Sequence, residues 1–363
     1  MVHARWCVPY PLAVRQIADK PARRRSVIVV AWAAAVCVLL WACVVWLPIV
    51  FAGRAAAGEL GRWYWALDVC ASLASQSLAV VVLLGVVLAV LRRWFAAGAV
   101  LIAGGVVFVL PLSEPRLAPA QTGAESIRIV IYNAKTSSGQ ADSKNELLLS
   151  AGADIVAVLE SPMEFVERYL GHEMLDGYAS VWRPKGPWYG CPILVSRHPM
   201  REHEQELAEI RHRLWDHLYL LEIVRAPMGD VAVVLMHARS PRRPWRWASG
   251  LEQLGEAADI VREIGEVTGL PVVVVGDFNS TPTSVRGRAF ADRSGLVRAK
   301  PALQPGGTFP SLVPSFAGLA IDGMYASPGV RVARWEPIGS AGSDHRALVV
   351  ELVLDQPSSG SVE

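Results

Sequence analysis

The chain has 363 residues, a formal net charge of +2 and a mean hydropathy of +0.32, with 52% of its residues hydrophobic. So small a charge excludes a global field for gathering polyanions, since the basic residues are local, and the excess of apolar residues over an ordinary soluble chain sits in the first third. Of five cysteines, Cys7, Cys37, Cys43 and Cys70 lie in that third and Cys191 stands alone beyond it, which excludes a disulfide framework or thiolate metal spacing in the C-terminal part.

Residues 1–26 form a basic segment ending in Lys20, Arg23, Arg24 and Arg25. Residues 27–51 carry no charge and are long enough to cross a hydrocarbon layer of about 30 Å at about 1.5 Å per residue. Residues 71–91 make a second such run. A shorter third, 95–112, is parted from it only by Arg92-Arg93-Trp94, as in a tight helical hairpin. Three runs without a small-residue cleavage site predict retained spans rather than a signal peptide. The arginines and lysine before the first run and between the second and third predict the cytoplasmic side for both, while the loop between the first two balances Arg54 and Arg62 against Glu59 and Asp68. A multi-pass plasma-membrane protein is therefore expected, with everything after residue 112 extracytoplasmic. Pro111, Pro115 and Pro119 predict a stiff, extended linker over residues 113–126.

From residue 127 to 354 the pattern changes to strands with intervening helices. Strands are predicted over 127–132, 155–159, 189–196, 217–224, 231–236, 271–275, 321–327 and 347–354, a short helix over 145–151, and a long amphipathic helix over 247–267 with Leu251, Leu254, Ala258, Val261 and Ile264 on one face. Strands outnumber helices and many form meanders, which predicts a two-sheet α/β sandwich rather than a doubly wound parallel sheet. Residues 355–363 read as a polar tail.

The central strand, Pro271-Val272-Val273-Val274-Val275, stops at Gly276-Asp277-Phe278-Asn279. Gly276 is expected to let the backbone leave the sheet, so that Asp277 and Asn279 point into one site at the two-residue strand period. An ionised Asp can take a proton from water or hold a hard cation, and an Asn amide can orient water or a phosphoryl oxygen. Other apolar runs end similarly, at Asn133, Glu160, His237, Asp322 and Asp344-His345. Each alone reads equally well as a turn residue or helix cap, whereas the set has the residue types of a metal-assisted phosphate site.

The strings Tyr132-Asn133, Leu159-Glu160, His237, Gly276-Asp277-Phe278-Asn279, Ile321-Asp322 and Ser343-Asp344-His345, in this order, resemble the endonuclease/exonuclease/phosphatase superfamily, also called DNase-I-like. Gly190 through Ser196-Arg197 resembles the superfamily strand that ends in Ser-Arg. The apolar preface is similar in architecture to the VanJ-like bacterial membrane proteins associated with vancomycin and teicoplanin resistance. The resemblance implies Glu160 and Asp344 at a divalent cation, Mg²⁺ or Mn²⁺. It implies Asp277 acting on the attacking water, and Asn279 and Asn133 holding water and phosphoryl oxygens. His345, supported by Asp322, would donate to a phosphate oxygen, and His237 would serve as general acid or second phosphate clamp.

Three departures turn the resemblance away from DNA cleavage. Lys135 stands where some nucleases carry an acid, and Leu159 where they carry Gln. If Tyr189 matches the nucleases' Tyr, Cys191 stands where a Glu would support the first His. Pro241-Arg242-Arg243-Pro244-Trp245-Arg246-Trp247 interleaves basic and aromatic residues. It reads as a head-group site at a membrane interface through Arg242, Arg243 and Arg246, as a nucleic-acid track, or as a solvated turn. Tethering favours a phosphorylated lipid over a free polynucleotide, because only the former gains effective concentration beside a bilayer. The expected function is a metal-dependent phosphohydrolase of lipid-linked phosphate or pyrophosphate. A phospholipid phosphodiesterase or nuclease is the alternative, and a non-catalytic module binding an envelope ligand a further one. No protein partner is evident.

Overall fold

The computed structural model describes residues 20–50, 61–112, 116–120, 125–135, 140–162, 164, 178, 180–182, 190, 192–201, 207–217, 219–301 and 306–354. Tyr189 and Cys191, the N-terminal basic segment before residue 20 and the polar tail lie outside them.

Among the described residues, four helices come first: α1 (Lys20–Val50), α2 (Gly61–Ala71), α3 (Ala74–Val90) and α4 (Trp94–Leu112). Small side chains let them approach closely, Ala31, Ala35, Ala96, Ala97 and Ala103 packing around Val81 and Val100. Among the described residues no helix is long and apolar enough to cross a membrane. The outward faces are apolar all the same, with Val29, Val30, Leu40, Leu83 and Ile102 exposed. α2 arises in the stretch expected to be a loop.

The rest is the predicted two-sheet sandwich. One sheet is built from β1 (Ile127–Asn133), β2 (Ile155–Leu159), β3 (Ser180–Trp182), β4 (Ile193–Ser196), β10 (Val330–Pro337) and β11 (Leu348–Leu354), in the order β10-β11-β1-β2-β4-β3. The other holds β5 (Leu220–Ala226), β6 (Gly229–His237), β7 (Val272–Asp277), β8 (Val297–Arg298) and β9 (Asp322–Ala326), in the order β5-β6-β7-β9-β8. Alternate residues such as Ile129, Ile131, Val233, Leu235, Val273, Val275 and Met324 fill the space between the sheets.

Helix α5 (Ala141–Ser150) covers the outer face of the first sheet, and α6 (Ala208–Trp215), α7 (Pro244–Thr268) and α8 (Val285–Ser294) cover that of the second. α7 starts three residues before its predicted N-terminus, because Pro244 suits the first helical turn, and Gly269 ends it in the left-handed conformation. In α8 the Ser284 hydroxyl caps the Gly287 N–H at 3.1 Å. α6, α8, β3, β8 and β10 were not expected, and the strand expected from residue 189 is described only from Ile193.

Two expectations are corrected. Gly276 stays in the sheet, pairing with Met236 and Gly323, and a Cβ there would lie 1.8 Å from the Met236 carbonyl oxygen. Its lack of a side chain serves close strand approach, not departure from the sheet. The described part of the linker, residues 116–120, is docked: Leu117 donates to the Arg298 carbonyl on β8, Ala120 donates to the Val332 carbonyl on β10, and the Val332 N–H donates to the Ala118 carbonyl.

Candidate active site

Strand parity places the polar residues. In β1, β6 and β7 the inward positions are apolar until the last residue, where Asn133, His237 and Asp277 extend the same rows, and antiparallel β9 starts at that end with Asp322, in the row of Met324 and Ala326. His237 lies beside Asp277 in the parallel ladder, and Asp277 beside Asp322 in the antiparallel one. Glu160, one residue past β2, takes a left-handed conformation (φ 49°), as do Lys135 (φ 53°) and Asn279 (φ 47°), so backbone strain gathers at this end of the sandwich.

The side chains meet. The Asn133 amide Nδ2 donates to Glu160 Oε1 and to Asp277 Oδ2, both at 3.1 Å. His237 Nε2 lies 3.4 Å from Glu160 Oε1 and 3.7 Å from Asp277 Oδ2. On the opposite side His345 Nδ1 bonds Asp322 Oδ2 at 2.8 Å, and its Nε2 lies 3.9 Å from Asp277 Oδ2. The Ser343 hydroxyl donates to the Asn133 carbonyl and accepts from the His345 N–H, fixing the segment that carries His345 to the end of β1. The Phe309 ring packs on the imidazole, with centroids 4.9 Å apart.

Burial and charge set the protonation of this group. Burial, then the Asp322 charge, push the Asp277 carboxyl up to about 6 against the opposing pull of His345, His237 and the Asn279 N–H. Burial alone would lower His345, but the charge and hydrogen bond of Asp322, with Asp277 and Asp344 beyond, push it up to about 10. At neutral pH the site therefore holds an ionised Asp277 against a charged His345.

Asp277, Asp322 and His345 offer ligand atoms within 4.8 Å of one another. Asp322 and His345 are engaged with each other, however, so this trio is better satisfied as an ion pair than as a cation cage. The donor set that fits a hard cation is the other half, where the Glu160 and Asp277 carboxylates face each other with only an amide and an imidazole between them. Asp344, expected beside the metal, instead pairs with Lys135 Nζ at 3.1 Å. Asn279 turns its amide to the Ala238 carbonyl at 2.9 Å, while its backbone N–H holds Asp277 Oδ1 at 2.8 Å. Arg242 and Arg243 are exposed and Arg246 lies over the Trp245 ring; no described contact brings the three to the cluster.

A buried arginine outside the expected set also bears on the site. Arg286, 1% exposed, donates Nη2 to the Arg239 carbonyl at 2.6 Å and Nη1 to the Asn279 carbonyl at 3.5 Å, tying together the loops that follow His237 and Asp277. Its only sequence signal was an arginine beside a glycine in a polar stretch.

Residues 140–345 match the model of the Endonuclease/Exonuclease/phosphatase family. No curated protein matches the chain. Among solved structures, an endonuclease/exonuclease/phosphatase from Beutenbergia cavernae DSM 12333 is 19% identical over 64% of this chain and 73% of its own, with a TM-score of 0.47. The human nocturnin catalytic domain with bound sulfate is 17% identical over 65% and 99%, with a TM-score of 0.46. A D. rerio TDP2 complexed with single-strand DNA product is 14% identical over 63% and 99%, with a TM-score of 0.48. Members of the matched family are generally metal-dependent phosphoester hydrolases. Since the match spans more than half of the sequence and takes in Glu160, His237, Asp277, Asp322 and His345, the chain belongs to the endonuclease/exonuclease/phosphatase family.

Proposed function

We propose that the protein is a membrane-anchored, divalent-metal-dependent phosphohydrolase that acts on a lipid-linked phosphate or pyrophosphate at the extracytoplasmic face, as the VanJ-like resemblance suggests. The observation that carries the hydrolytic part is the convergence of Asn133, Glu160, His237, Asp277, Asp322 and His345 within hydrogen-bond or near-contact range. A cation at Glu160, Mg²⁺ or Mn²⁺, supplies Lewis acidity and offsets charge developing at phosphorus. Asp277, held through Oδ1 by Asn279, presents Oδ2 to an attacking water as orienter and base. His345, kept charged by Asp322, donates from Nε2 to a phosphoryl oxygen. His237 faces the same space as a second phosphate clamp or proton donor, and Asn133 orients the ligand oxygens.

The lipid part rests on what surrounds the mouth. The loop after residue 308 is pinned to the His345 segment, Ser311 N donating to the Asp344 carbonyl and Arg346 Nη2 to the carbonyls of Ser311 and Val313. That loop nonetheless exposes Leu312 (94%) and Phe316 (71%). Gln76 of α3 donates to the Gly318 carbonyl at 2.6 Å, so these apolar side chains sit beside the apolar-faced helices, where a bilayer would cover both. Exposed Arg242 and Arg243 beside Trp245 suit an anionic head group at the same level.

The test is a substrate panel of polyprenyl pyrophosphate, sphingomyelin and plasmid DNA with Mg²⁺, using wild type, Asp277→Ala and His345→Ala. Phosphate release from the first substrate alone, abolished in both variants, is expected. Sphingomyelin cleavage or plasmid nicking transfers the reading to the phosphodiesterase alternative, and ligand binding without turnover of any substrate leaves only the binding module.

A further inference from the structure

Helix α2 is not a spacer between apolar helices. Its Asp68 is 3% exposed and reaches into the catalytic domain, where Oδ2 accepts from Trp247 Nε1 at 2.7 Å and Oδ1 from the Val285 N–H at 2.6 Å. Around it, Tyr64 packs edge-on against Trp247 with centroids 5.4 Å apart, and Trp65 Nε1 donates to the Pro241 carbonyl. The carbonyl that ends α2, Ala71, accepts from the Thr283 hydroxyl at 2.7 Å. These partners lie on the loop after β6, the first turn of α7, the loop from β7 into α8, or the first residue of α8.

Those are the segments that Arg286 ties together behind His237, Asp277 and Asn279. Arg286 follows Val285, whose N–H Asp68 holds, and α7 is packed so tightly over it that a Cβ at Gly250 would lie 2.7 Å from Nη2. Both guanidinium hydrogen bonds go to neutral carbonyls, and Asp68 is the acid that acts most strongly on Arg286 through space.

We propose that Asp68 is a positioning residue of the active site: α2 closes over the base of the loops that carry His237 and Asp277 and holds them in register through Trp247, Val285 and Arg286. The N-terminal helices then complete the catalytic geometry in addition to fixing its location. An amide at this position can accept with one oxygen only, and its NH₂ would oppose the Trp247 or the Val285 N–H. Asp68→Asn should therefore break one of the two bonds, and Asp68→Ala both.

This inference rests on the hydrolase reading for its kinetic arm and on no activity for its other arm. With full-length protein in detergent, turnover of the soluble monoester p-nitrophenyl phosphate, which does not depend on anchoring, should fall about tenfold in kcat for Asp68→Asn and more for Asp68→Ala, with KM within about twofold. Trp63→Ala, on the exposed side of α2, should leave both unchanged. Hydrogen exchange of the 278–290 segment should accelerate about tenfold in Asp68→Ala while the β1, β2 and β11 amides keep their protection. Unchanged exchange in 278–290, or an equal rise across both sheets, overturns the proposal, as does a change confined to KM. If wild type turns over no substrate, the hydrolase reading fails and the exchange experiment alone decides the role of Asp68.

Discussion

Asp277 and His345 oppose a fully buried carboxylate to an imidazole 3.9 Å away, and each titrates above its ordinary range. Both are raised, so the active combination of ionised Asp277 and charged His345 is gained as pH climbs through about 6 and lost as it climbs through about 10. The expected kcat/KM profile is a plateau between those limits, with the acid limb lowered further by a cation beside Glu160. Asp322→Asn removes the charge that holds the imidazole up, so its alkaline limb should move down by more than about one pH unit while the acid limb shifts less. A pH–rate series on both proteins measures it, and an unmoved alkaline limb would remove Asp322 from its role. At this scale the sequence was readable wherever a polar residue ended an apolar run, because a strand's parity carries its inward row to the last residue. It was unreadable at Arg286 and Asp68, whose burial comes from contacts between segments 47 to 217 positions apart.

Among the elements, β5 carries a second buried acid far from the chemistry. Glu222, 2% exposed, lies 3.6 Å from Arg211 of α6, and burial pushes its carboxyl up to about 7 against the pull of that arginine. Because the folded state binds this proton more tightly than the unfolded chain, the contribution is fully present below about pH 4.5 and lost as pH rises through about 7. The difference is of order 3 kcal/mol. Thermal unfolding of Glu222→Gln at pH 5 and pH 8 should show a smaller loss between the two than wild type, and an identical loss would refute the assignment. The strand-rich pattern and the long amphipathic helix were legible from period and Pro/Gly punctuation. α6 and α8 were not, since their apolar stripes are short and α8 contains three arginines, of which the burial of Arg286 is not announced by the chain alone. Gly276 was legible as special but for the wrong reason, the ladder with Met236 being invisible before β6 is placed beside β7.

Over the whole molecule, the N-terminal helices contribute an apolar outer face, a buried carboxylate and a backbone carbonyl to the catalytic domain, which ordinary composition arguments would have treated as a separate body. The linker adds one further consequence. Its described stretch donates to β8, the last strand of one sheet, and to β10, the last strand of the other, so a single short segment seals an open strand rim on each side of the sandwich. An unsealed rim is a template on which another molecule's strand can grow. A soluble fragment starting at residue 127 should therefore self-associate in a concentration-dependent way, seen by light scattering, whereas one starting at residue 113 should scatter as a single species.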